Sequence, residues 1–190
     1  MNKPETSVAQ DVVSAGLVTN RTSAEQVGAG GVYTVECVAP DGTVKWSDTF
    51  PNLVMNEGVQ YMNTQTFKGA SYTAAWYLGL VTGPGSGTTF AATDTLASHS
   101  WTESVAYAGA RKAATFGTAT TANPSVISNS ASPASFVMNA TVTIAGAFLT
   151  NVSSGTSGIL FSAGDFTGGD KFVDSGDTLN VTYTFSLTAT

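Results

Sequence analysis

Asp177-Thr178-Leu179-Asn180-Val181-Thr182-Tyr183-Thr184-Phe185-Ser186-Leu187-Thr188 alternates between apolar and polar side chains along most of its length. Successive side chains of a strand point to opposite faces. Leu179, Val181, Tyr183, Phe185 and Leu187 therefore share one face, and Thr178, Asn180, Thr182, Thr184 and Ser186 the other. This is the pattern of a half-buried antiparallel strand with a Thr-lined outer surface.

Reading outward from it, the same period recurs. Residues 135–150 form a long alternating run with Phe136, Met138, Ala140, Val142 and Ile144 on one face. Residues 158–163, 125–129, 112–118 and 101–107 read as shorter or weaker strands, and Ala75-Trp76-Tyr77-Leu78-Gly79-Leu80-Val81 as a buried one. Val32-Tyr33-Thr34-Val35-Glu36-Cys37-Val38 and Thr43-Val44-Lys45-Trp46-Ser47-Asp48-Thr49-Phe50 flank Ala39-Pro40-Asp41-Gly42, where Pro presets φ and Gly takes a positive φ. That is a hairpin. About eight strands separated by turn signals predict an all-β antiparallel sandwich, jelly-roll-like. One short helix is expected near residues 53–63, from the spacing of Leu53, Val54, Met55, Val59 and Met62, with Asn52 or Asn56 as its cap.

Residues 1–30 differ from the rest. They contain no aromatic residue and many small polar ones. A weak helix over residues 5–17 would place Val8, Val12 and Val13 on one side. Such a segment cannot offset its own ordering entropy. The sequence predicts a flexible arm over 1–30 and a sandwich domain over 31–190. The arm is expected to order on a partner, through Val8, Val12, Val13, Leu17 and Arg21.

Composition narrows the function. The 190-residue chain has 7 Lys+Arg against 13 Asp+Glu, a net charge of −6. Only 11% of residues are charged, and Ser and Thr make up about a quarter. Nucleic-acid binding needs clustered basic residues, which are absent. One Cys and one His exclude a disulfide framework and a Cys/His zinc site within the chain. No apolar run reaches the ~18 residues of a membrane span. The N-terminus lacks the apolar stretch of a secretory signal, so synthesis in a cytoplasm is expected.

The candidates for chemistry are weak. His99 and Glu103 are four residues apart, with Ser98 and Ser100 beside the histidine. Neighbours in sequence do not make a triad, and no nucleophile elbow is present. Gly83-Pro84-Gly85-Ser86-Gly87 lacks the Gly-Lys-Ser/Thr ending of a phosphate loop. Asp165, Asp170, Asp174 and Asp177 could offer oxygens to calcium, but without the alternate-residue spacing of an EF-hand loop. Four Asn-X-Ser/Thr triplets, at Asn20, Asn139, Asn151 and Asn180, fall within the expectation for so Ser/Thr-rich a chain. Cys37 reads as a buried small hydrophobe. No catalytic residue, metal or cofactor is expected.

Several segments taken in order resemble a family of small virion proteins of tailed bacteriophages. They are Gly31-Val32-Tyr33-Thr34-Val35-Glu36-Cys37 with Asp41-Gly42-Thr43-Val44-Lys45-Trp46, then Asn52-Leu53-Val54-Met55-Asn56-Glu57-Gly58, then Tyr72-Thr73-Ala74-Ala75-Trp76-Tyr77-Leu78-Gly79-Leu80. Asp94-Thr95-Leu96-Ala97-Ser98-His99 follows, with Trp101-Thr102-Glu103, Tyr107 and Arg111, and finally Leu160-Phe161-Ser162-Ala163-Gly164-Asp165-Phe166 and Gly176-Asp177-Thr178-Leu179-Asn180-Val181-Thr182-Tyr183. The family's Arg is typically followed by Pro, whereas Arg111 precedes Lys112. The resemblance implies a non-enzymatic head decoration, cement or head-fibre protein on the outer surface of the capsid. It would bind the major capsid protein and self-associate as a dimer or trimer, with no nucleic-acid or membrane partner. Trp101 and Arg111 join the arm residues as expected partner contacts. The alternative is a tail, fibre or receptor-binding component, for which exposed Trp on a Thr/Ser surface would suit host glycans. An enzyme or carbohydrate-binding domain ranks third, because no pair of placed carboxylates stands out.

Overall fold

A computed structural model describes residues 26–69, 75–83 and 90–189. In chain order the elements are β1 (Val27–Val38), β2 (Val44–Pro51), β3 (Leu53–Val54), α1 (Asn56–Lys68), β4 (Tyr77–Thr82), β5 (Lys112–Ala113), β6 (Ser125–Ser128), β7 (Ala134–Val137), β8 (Val142–Thr150), β9 (Leu160–Asp165), β10 (Lys171–Val173) and β11 (Thr178–Ala189). Every pairing among the named strands is antiparallel. One sheet runs β2-β1-β11-β6, with β7 also on β11; the other runs β3-β9-β8-β4-β5, with β10 also on β8. The expected all-β two-layer sandwich is what forms. The sheets have five and six strands, against the eight strands in two Greek keys of a jelly roll, so two-layer sandwich is the description the topology carries.

β11 has the expected phase. Leu179, Val181, Tyr183 and Phe185 are buried between the sheets, and Thr178, Asn180, Thr182, Thr184 and Ser186 lie on the half-exposed outer side. The β1–β2 hairpin turns where Pro40 and Gly42 predict. Gly42 takes φ 87°, its N–H donates to the Ala39 carbonyl at 2.9 Å, and the Asp41 carboxylate accepts from the Thr43 N–H at 2.9 Å. β1 begins at Val27, ahead of the expected boundary at Gly31, and pairs Val27 with Ala189. Residues 1–25 of the expected arm lie outside the described residues.

Four expectations are corrected. The long strand over 135–150 is two strands in different sheets, β7 on β11 and β8 between β4 and β9. The helix lies later than 53–63, because Leu53 and Val54 pair with Ala163 and Ser162 as β3. Its N-cap is Met55, with no side-chain cap, rather than Asn52 or Asn56. The orphan amides are met from elsewhere: the Asn56 N–H donates to the Ala92 carbonyl at 2.8 Å. Glu57 in the first turn accepts from the Leu160 N–H, tying α1 to β9, and Gly69 closes the helix in the left-handed conformation. Residues 101–107, expected as a strand, make only isolated bridges, Val81 to Glu103 and Tyr107 to Met138.

The core has two parts. Between the sheets pack Tyr33, Phe50, Leu78, Phe136, Leu149 and Val181 with their neighbours. On the far side of the second sheet, Val81, Phe148, Leu160 and Ala163 are covered by Met55, Leu96 and Trp101. A bulge at the Leu149/Thr150 register lets Leu149 face Ser162 while Thr150 faces Leu160. The Tyr33 hydroxyl then bonds the Ser162 hydroxyl across the layers at 2.7 Å.

Candidate functional site

The segment over 90–111 folds onto the second sheet and carries most of the residues that looked chemically interesting. Gly79 lets the Phe148 ring lie where a Cβ would clash with it. Trp101 packs on Phe148 at 5.0 Å, and the Arg111 guanidinium stands over the same ring at 5.2 Å. His99 stacks on Trp101 at 3.7 Å and 12°, and its Nδ1 lies 2.8 Å from the Trp101 carbonyl, to which it donates. Arg111 grips Glu103 with two bonds, Nε to Oε1 at 2.8 Å and Nη2 to Oε2 at 2.6 Å, and a third reaches the Val152 carbonyl. This fork geometry gives the strong form of the pair. It also commits the acid and the histidine of the imagined catalytic set to different partners. Trp101 and Arg111, expected as partner contacts, are each 6% exposed and touch their own chain. They brace the sheet from inside rather than face a partner. The exposed Trp imagined for glycans is likewise missing: Trp76 is buried, and Trp46 is half-buried edge-on to Phe166. Val8, Val12, Val13, Leu17 and Arg21 lie outside the described residues.

The acidic stretch answers to lysines. Lys45 Nζ lies 2.7 Å from both Asp174 and Asp177, and Lys171 lies 3.0 Å from Asp48. Asp177 is buried and also accepts from the Asp174 N–H at 2.9 Å. Burial pushes its carboxyl upward, but the Lys45 ammonium and that N–H outweigh burial and hold it below the ordinary value. Burial, with Asp177 3.6 Å away, pushes the Cys37 thiol up to about 12, so it stays protonated and inert. Among the described residues, no group of three His, Cys, Asp or Glu is placed to hold a metal ion. No helix among them is long and apolar enough to cross a membrane.

The open feature lies at one end of the sandwich, where the layers part. A groove of about 700 Å³ is lined by Tyr61, Trp76, Phe116, Phe161, Tyr183 and Leu187, among others. α1 supplies one wall, the residues around β5 and β6 another, and β11 the third. Its surface is mainly apolar, and its size is that of a typical ligand cleft. Burial raises the Tyr183 phenol well above its usual value, and its hydroxyl accepts from the Asn52 amide at 2.8 Å. The Tyr61 hydroxyl is buried and has no hydrogen-bond partner. Among the described residues, its lining holds no His, Cys, Lys, Arg, Asp or Glu; the groove can hold apolar groups and offers the Tyr61, Thr66 and Thr115 hydroxyls and the Gln65 amide. Sequence reading missed it because its walls are scattered along the chain from Tyr61 to Leu187. The local signal was the aromatic content of 61, 76 and 116, which reads equally as core.

Comparison of the chain with protein families, curated proteins and solved structures finds no match.

Proposed function

We propose that this chain is a non-enzymatic structural protein of a tailed-phage virion. In this reading it is a decoration or cement protein that sits on the outer surface of the head, binds the major capsid protein and self-associates. The carrying observation is the outer face of the β2-β1-β11 sheet. Its cross-strand rows set Thr49, Thr34 and Thr182 side by side, then Ser47, Glu36, Asn180 and Ser135, then Pro51, Val32, Thr184 and Ser128. Glu36 is the charged side chain among them. A broad hydroxyl-rich face with little charge suits contact by shape and hydrogen bonding. Repeated over a symmetric shell, modest contacts of this kind add up. The internal commitment of His99, Glu103 and Asp177 supports a scaffold rather than an active site.

The test is quantitative composition of purified particles together with an electron-microscopy map. Copy number comparable to the major capsid protein, with density on the head, is the expected result. A few copies at the tail would replace this reading with the fibre or receptor-binding one. His99→Ala is expected to leave assembly and infectivity unchanged, and loss of titre with the protein folded would argue for chemistry.

A further inference from the structure

The chain enters the sandwich at the lip of the groove. Val27 pairs with Ala189, Ala29 with Leu187 and Gly31 with Phe185. Residues directly opposite on neighbouring strands present side chains to the same face. Phe185 and Leu187 line the groove, so Val27 and Ala29 lie on the sheet face that forms its wall. That face is uncovered there: Val27 is 72% exposed and Leu187 38%. Ahead of Val27 the chain holds Val8, Val12, Val13, Leu17 and Val18 within eleven residues. From Val18 to Val27 is nine residues, which can span about 30 Å when extended. The facing sheets are only about 10 Å apart, so the tether is ample. The groove is mainly apolar, with Gln65, Thr66 and Thr115 also in its lining, and its buried Tyr61 hydroxyl lacks a partner and could be met by a backbone carbonyl of an inserted segment. A short tether gives an effective concentration in the millimolar range, on the order of that for flexible linkers. This favours the chain's own segment over one from a second copy.

We propose that residues 8–18 of the same chain seat in this groove, their Val and Leu side chains against Trp76, Phe116 and Leu187. The inference does not depend on the virion assignment.

The test is amide hydrogen exchange on the full chain, at concentrations where it is monomeric. Three proteins are compared: the unaltered chain, Leu187→Asp in the groove wall, and Val12→Asp with Val13→Asp in the segment. Amides of residues 8–18 should exchange at least about tenfold more slowly in the unaltered chain than in either variant, with β11 equally protected in all three. An apolar dye should light up in the Val12→Asp/Val13→Asp protein and not in the unaltered chain. If Leu187→Asp loosens β11, the segment variant decides alone, because its changes lie outside the sandwich. Exchange of 8–18 at the rate of an unstructured peptide in the unaltered chain overturns the proposal. So does protection that survives in the segment variant. Protection that appears only as the chain dimerises also overturns it, and gives the groove to a second copy.

Discussion

β11 and β8 are the middle strands of their sheets, and they are composed differently. β11 alternates buried and half-exposed residues from Thr178 to Ser186, while every residue of β8 from Ile144 to Thr150 is buried. The difference lies in what covers the second face. The outer side of β11 meets water. The outer side of β8 meets Trp101, Leu96 and Arg111, brought over it by the segment after β4. Continuous apolar runs are usual in parallel sheets covered by helices. Here an irregular loop does the covering, and the antiparallel strand is apolar on both sides for the same reason.

The sharpest way to break this comparison is to truncate both faces of each strand. On β8, Phe148→Ala on the outside and Leu149→Ala on the inside should each destabilise by about 3–5 kcal/mol in urea unfolding. A cost below about 1 kcal/mol for Phe148→Ala would mean the covering segment does not pack on the sheet. Next in size, Glu103→Ala strands the buried Arg111 guanidinium. Removing one member of a buried pair costs about 3–5 kcal/mol. Water reaches the Glu103 side chain, 27% exposed, so the lower end, about 3 kcal/mol, is expected. On β11 the two faces should separate: Val181→Ala about 2 kcal/mol from lost burial and its cavity, Thr182→Ala under about 1 kcal/mol. Equal values would contradict the one-sided burial.

The smallest effect is the response to acid. Asp177 is held below its ordinary pKa, so the folded chain binds that proton less tightly than the unfolded one. Its contribution is fully present above the unfolded carboxylate value, about 3.9, and is lost as pH falls through the lower folded value. Asp177→Asn should therefore flatten the loss of stability below about pH 4, read as the dependence of the urea midpoint on pH. An unchanged acid limb would show that the Lys45 cluster makes no linked contribution.

The strands that alternate against solvent were legible because their pattern depends only on their own residues. β11 and the β1–β2 hairpin are of this kind, and the turn at Pro40 and Gly42 carried its mechanism in its residue types. The break between β7 and β8 was not legible. Phe136, Met138 and Ile144 keep one phase across it, because a chain that passes from one layer to the facing layer continues to present apolar residues to the same core. The Met138 N–H donates to the Asp177 carbonyl at 2.8 Å just where the sheets change. The helix start was misplaced because Leu53 and Val54 fit a helical spacing, while their partners, Ala163 and Ser162, lie far along the chain. The burial of Trp101 and Arg111 depended on both reaching Phe148, far along the chain, which no local pattern encodes. The groove is the extreme case, since no two of its walls are neighbours in sequence.

The twelve-residue pairing of β1 with β11 joins the first described strand to the last, and it sets the order of events in synthesis. β11 is the strand that β1, β6 and β7 all pair with, so the first sheet has no centre until residues 178–189 have left the ribosome. The hairpin of β1 and β2 must wait, with the apolar face of Tyr33, Val35 and Phe50 unpaired, while the rest of the chain is made. Pairings that close so long a loop are slow to form. The first sheet is therefore expected to close only once residues 178–189 are available, and loss of residues from β11 should leave β1, β6 and β7 without their shared partner.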